Sequence, residues 1–183
     1  VKSSSFVVPD ELDELVRHPK TSKPGEPMRS HNKSCFGCGV DSPRGLHLTV
    51  HAGEGFTVDA RMPVEQWMEG GPGVIHGGIL SSAFDDVMGM LPRLIGPPGV
   101  TVHLQVDFLA PIPVGKTLHI EASILGKQRR KIYAEAVAHL GDPDRPVARA
   151  NGVFVTVDVR EHFADHVENS AKAQEYKDRM HRP

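Results

Sequence analysis

The chain has 183 residues, 39% of them apolar and 24% charged, which suits one packed domain and excludes wholesale disorder. Its 21 Lys and Arg nearly balance 23 Asp and Glu, for a formal charge of −2. No global basic field exists to recruit nucleic acid, so an anionic ligand must be met by a local cluster. Two cysteines exclude a disulfide scaffold. No run approaches the ~18 apolar residues of a membrane span, and the first residues hold no apolar run of a secretory signal. A soluble, cytoplasmic protein without membrane or nucleic-acid partners is expected.

In chain order, residues 6–18 predict a short amphipathic helix with Asp10 and Glu11 in its first turn. Residues 19–34 are rich in Pro, Gly, Ser and Lys without a period and read as a linker, so 1–34 forms an N-terminal helix and arm. Turn signals follow at Cys35-Phe36-Gly37-Cys38-Gly39 and Asp41-Ser42-Pro43-Arg44-Gly45. Leu46, Leu48 and Val50, then Phe56, Val58, Ala60 and Met62, alternate with polar neighbours as two half-buried strands around Gly53-Glu54-Gly55. Residues 77–91 switch to a helical period that ends at Gly96-Pro97-Pro98-Gly99. Strands are predicted over 101–109, 117–126, 130–140 and 146–158, the last with Val153, Val155, Val157 and Val159 on one face. One long helix against a curled, mainly antiparallel sheet of about six strands is an α+β architecture spanning 35–160. Residues 161–183 are a polar tail that predicts a surface helix.

The central helix is the most informative element. At 100° per residue, Gly78, Ser81, Ser82, Asp85 and Gly89 fall within an arc of about 100°. Ile79, Leu80, Ala83, Phe84, Val87, Met88, Met90 and Leu91 fill the opposite side. A solvated face favours Lys, Glu and Gln, which this stripe lacks. Small residues there admit another surface, which Asp85 meets. Asp86 lies about 100° further round, at the stripe's edge, and is expected to be dispensable. Gly70-Gly71-Pro72-Gly73-Val74-Ile75-His76-Gly77-Gly78 leads into the helix N-terminus, where unpaired amides can hold an oxyanion.

Cys35-Phe36-Gly37-Cys38-Gly39, Pro43-Arg44-Gly45-Leu46, Pro72-Gly73-Val74-Ile75-His76-Gly77-Gly78 with Asp85, and Val106-Asp107-Phe108-Leu109-Ala110-Pro111 occur in this order. In this combination the chain resembles the hotdog-fold acyl-CoA thioesterases of the PaaI-like and THEM4-like branch. The resemblance implies a sheet wrapped around one helix and a dimer with active sites at the subunit interface. It also implies a carboxylate seven residues after the second Gly of HGG, which is Asp85. Relatives that carry Asn or Gln before the His, and Ser or Thr one turn after the carboxylate, differ from this chain, which has Gly70 and Gly89 at those places.

The expected reaction is hydrolysis of an acyl-CoA thioester to free acid and CoA, without a cofactor. Asp85 acts as general base or nucleophile, the Gly78 amide together with Gly77 polarises the carbonyl, and His76 is a secondary contact. Ser81 and Ser82 are substrate-positioning candidates; neither lies in a GxSxG elbow. Gly78 and Asp85 are roughly 10 Å apart along one helix, so one thioester meets both only in a homodimer; pairing of such dimers stays open. A non-catalytic acyl-CoA-binding protein is the alternative. Lys127, Arg129, Arg130 and Lys131 form the one dense basic run and are expected to seat the CoA phosphates. Cys35 and Cys38, with His31 and His47 nearby, lack a second thiol pair, so no metal is expected.

Overall fold

The computed structural model describes residues 6–170 and 172–180; the first five residues of the arm and the last three of the tail lie outside them. Six strands form one sheet: β1 (Val50–Ala52), β2 (Thr57–Pro63), β3 (Gly99–Phe108), β4 (Thr117–Gln128), β5 (Lys131–His139) and β6 (Pro146–Thr156). Their order is β1-β2-β4-β5-β6-β3, with every pair antiparallel. The central helix α1 (Gly77–Gly89) is followed by the short α2 (Pro92–Ile95). α1 packs on β2, β3, β4, β5 and β6, which requires the sheet to curl around it. This is the expected α+β arrangement.

Alternation along the strands builds the core. Val58, Ala60 and Met62 of β2, Leu118 and Ile120 of β4, Ile132, Ala134 and Ala136 of β5, and Phe154 of β6 are buried against α1. The helix presents Leu80, Ala83, Phe84, Val87 and Met88 to them, all buried. Burying such side chains contributes roughly 1.5–3 kcal/mol each. Strand β3 closes one edge of the sheet, and a bulge between Thr101 and His103 interrupts its pairing with β6.

Three local expectations need correction. Residues 6–18 form no helix; they run extended along the sheet's rim. Asp13 N–H donates to Lys127 O (2.8 Å), His18 N–H to Leu94 O (2.7 Å), and Leu12 packs over Gly126. These tertiary partners replace intrahelical bonds that so short a helix forms only weakly. The strand expected from Leu46 begins at Val50, because Leu46 and Leu48 donate instead to Phe36 O (2.7 Å) and Gly37 O (2.9 Å). Val159 does not extend β6; with Asp158 as its cap it starts a four-residue helix, α3 (Val159–His162). The tail is helical in pieces, with a 3-10 turn (Ala164–Asn169) and α4 (Ala173–Met180) after α3. Lys172 pairs with Asp41 and Glu175 with Lys33, folding the tail back over the cysteine loop.

Candidate active site

The loop before α1 is fixed from both sides. Ile75 N–H donates to Ile112 O (2.9 Å) and His76 N–H to Met68 O (2.7 Å). A Cβ on Gly70 would lie 2.7 Å from His76 Cα, so only glycine lets the loop close on the histidine. His76 caps the helix: its Nδ1 accepts from Gly78 N–H at 2.9 Å, with its backbone extended (φ −70°, ψ 132°). In the neutral ring this leaves the proton on Nε2, which becomes a donor. The Gly78 amide is thus engaged within the chain, while the Gly77 amide, first of the helix, has no acceptor among the described residues. Gly77 faces a cleft of ≈ 340 Å³ shared with Val74, Leu80, Phe108, Leu109 and Pro111. A Cβ at Gly77 would press on the Phe108 ring at 3.2 Å.

Two turns further along α1, the half-buried Asp85 accepts a hydrogen bond from Thr101 Oγ1 at 2.6 Å. Thr101 was invisible to sequence reasoning, since no local pattern links it to a residue sixteen positions earlier. Ser81 and Ser82 donate to Gly77 O (2.8 Å) and Gly78 O (2.9 Å), so both hydroxyl protons are spent on their own helix.

The stripe of small residues is not open along its whole length. At Gly89 it is covered by His31, whose Nε2 lies 3.2 Å from Gly89 O. Asp86, expected at the stripe's edge and dispensable, is only 6% exposed and contacts His31 Nδ1 (3.2 Å) and Cys35 Sγ (3.4 Å). The N-terminal segment covers this side of α1, which a helical wheel does not reveal. Burial pushes the Asp86 carboxyl up, against the His31 bond. Burial also pulls the His31 ring down, but hydrogen bonds to Asp86 and Cys35 outweigh it and hold the ring up at about 9. Cys35 is lowered by a hydrogen bond from Cys38, and Cys38 is raised correspondingly.

The basic run is the β4–β5 hairpin, with Arg129 at φ 55°. Two of its cations serve the fold: Lys127 pairs with Asp13 (2.8 Å), and Arg130 donates to Thr156 O from Nε (3.0 Å) and an Nη (2.9 Å). Arg129 and Lys131 are exposed. Lys131 stands in register with Val155, which pairs with Val100. It is therefore two strand spacings, roughly 10 Å, from β3 on the rung beside Thr101.

A six-stranded antiparallel sheet curled around one helix, with a His-Gly-Gly helix entrance and a carboxylate two turns on, defines a hotdog domain. Residues 72–147 match the thioesterase superfamily (4HBT). The chain is 28% identical over 95 residues to acyl-coenzyme A thioesterase THEM5 of Mus musculus, covering 52% of this chain and 38% of that protein. It is 36% identical over 85 residues to the putative esterase PA0474 of Pseudomonas aeruginosa, covering 45% and 62%. Zebrafish thioesterase superfamily member 2 superposes with a TM-score of 0.58 at 22% identity, over 64% of this chain and 90% of that one. The hotdog domain is thus similar to members of the thioesterase superfamily, and the chain spans well under half the length of its THEM5 relative. No helix among the described residues is long and apolar enough to cross a membrane.

Proposed function

We propose that the protein hydrolyses acyl-CoA thioesters as a homodimer. The observation that carries the reading is the Asp85 carboxylate, held at 2.6 Å by Thr101 on the small-residue face of α1. It is supported by relatives named acyl-coenzyme A thioesterases. In this reading Asp85 takes a proton from water as the water attacks the thioester carbonyl, or attacks that carbonyl itself to form a mixed anhydride that water then hydrolyses. The carbonyl oxygen is met by the Gly77 amide, assisted by His76 Nε2–H. CoA leaves as the thiolate and is protonated, releasing the free acid.

Strand β3 supports the dimer. It ends the sheet with ten residues, and Val102, Phe108 and Leu109 are each more than half exposed there. Native proteins seldom leave so long an edge uncovered. α1 runs antiparallel to β3, with Asp85 beside Thr101 and Gly77 beside Phe108. Two β3 edges paired about a two-fold axis near Leu104 bring Thr101 opposite Phe108 of the partner subunit. Each Asp85 then faces the other protomer's helix entrance, across the ~10 Å that separates them within one chain. Arg129 and Lys131 meet the CoA phosphates. The two free thiols suit a reducing compartment such as the cytoplasm.

Thiol release from a panel of acyl-CoAs tests the assignment. Asp85→Asn lowers kcat by roughly 10²–10⁴ while acyl-CoA binding survives; Asp59→Asn, exposed on the outer face of β2, changes nothing. Near-normal turnover in Asp85→Asn would refute the role of Asp85. Tight binding with no CoA release by the unaltered protein would establish the binding-protein alternative.

A further inference from the structure

We propose that His31, Cys35, Cys38 and Asp86 form a four-ligand zinc site that staples the N-terminal segment to α1. Their donor atoms all lie within 4.8 Å of one another. His31 Nδ1 is 3.2 Å from Asp86 Oδ1 and 3.3 Å from Cys38 Sγ, and Cys35 Sγ is 3.4 Å from Asp86 Oδ1. A tetrahedral ion with bonds of ~2.0–2.3 Å needs ligand–ligand edges of roughly 3.3–3.8 Å. The cage is therefore already close to the size of the ion.

Three further features fit a metal better than a hydrogen-bonded cluster. His31 Nε2 meets Gly89 O at 3.2 Å, which places a proton on Nε2 and turns Nδ1 toward the other ligands. Metal-bound histidines are oriented by such a bond on the second ring nitrogen. The His31 backbone N–H donates to Cys38 Sγ at 3.3 Å, support that a thiolate ligand gains from. Asp86 Oδ2 is buried, its residue only 6% exposed, and it has no hydrogen-bond partner among the described residues. A carboxylate oxygen left unpaired in an interior is costly, and a cation on the group compensates it.

The residue types select the metal. Two thiolates, an imidazole and a carboxylate favour Zn²⁺ over Mg²⁺ or Ca²⁺, and four protein ligands with Cys38 and Asp86 buried describe a closed, structural site. Counting thiols in the sequence led to the expectation of no metal, because it does not place Asp86 beside the cysteines. His31 precedes the Cys-x-x-Cys by four residues, but the fourth ligand lies 48 residues beyond it, on the helix. Gly37 completes the fit, for a Cβ there would fall 2.2 Å from Asp86 Cγ.

Elemental analysis of the protein purified without added chelator reads the site directly, together with Co²⁺ substitution. The expected result is one zinc per chain and, with Co²⁺, the absorption of a tetrahedral ion carrying thiolate charge-transfer bands. Chelation of the zinc should expose residues 28–48 to protease and lower Tm, and zinc should restore both. Asp86→Asn should weaken zinc at least ~10-fold in chelator competition. Less than a tenth of an equivalent of zinc before and after reconstitution, Co²⁺ spectra without thiolate bands, or a Cys35–Cys38 disulfide in the reduced-buffer preparation would overturn the site. Undiminished zinc affinity in Asp86→Asn would overturn the four-ligand assignment. None of these readouts depends on thioesterase activity.

Discussion

Thr101→Val is the most discriminating perturbation of the catalytic reading. Valine keeps the β-branched shape that suits strand β3 and deletes only the hydroxyl that donates to Asp85 Oδ1 at 2.6 Å. Hydrogen bonds to charged groups contribute ~1.5–3 kcal/mol, so losing this one costs at least ~1.5 kcal/mol. If the hydroxyl holds the carboxylate in its reacting position, kcat falls roughly 10-fold. KM should change little, because the hydroxyl is engaged with Asp85. Thr101→Ser, which restores the donor, should recover most of the rate. In an Asp85→Asn background the same substitution should cost almost nothing further, since Thr101 acts through the carboxylate. The assay is steady-state thiol release on the unaltered protein and the four variants, with thermal unfolding to confirm that each is folded. Full kcat in Thr101→Val, or a tenfold loss that persists without Asp85, would refute the positioning role.

Other substitutions test the surrounding features. Arg129→Ala with Lys131→Ala should raise KM for acyl-CoA more than it lowers kcat, with a smaller effect on a pantetheine thioester and at high salt; equal losses on both substrates would argue against a phosphate seat. Val102→Asp, at the exposed bulge of β3, should give monomers by sedimentation velocity and abolish turnover, whereas an active monomer would refute the shared site. Gly37→Ala places a methyl 2.2 Å from Asp86 Cγ; overpacking of this kind costs ~1–3 kcal/mol, measurable by urea unfolding, and unchanged stability would show that the loop yields there.

The helix and the strands were legible because their signals are local. Alternation at period two marked β2 and β4 to β6 closely, and the switch to a helical period at residue 77 marked the start of α1, which ends at Gly89, two residues before the expected 91. Asp85 was singled out by the stripe and by the resemblance alike. Misreadings fell where a local preference met a distant partner. The arm's apolar spacing suggested a helix, yet its amides bond to Lys127 and across the β1 rim, as Met28 N–H does to Val50 O at 2.8 Å. Leu46 and Leu48 alternate like a strand, but their partner is the cysteine turn.

The sequence alone determined the α+β class, the helix that carries Asp85 and the glycine entrance at its N-terminus, because periodicity and capping depend on residues a few positions apart. Only the tertiary structure decided that Thr101 holds Asp85, that His76 rather than a ligand occupies the Gly78 amide, and that Lys127 and Arg130 are committed to the fold. It also decided that Asp86 is buried with His31, Cys35 and Cys38. Those groups are separated by up to 55 residues, and which of them meet follows from strand order and from how the N-terminal segment is laid over the helix, neither of which leaves a periodic trace.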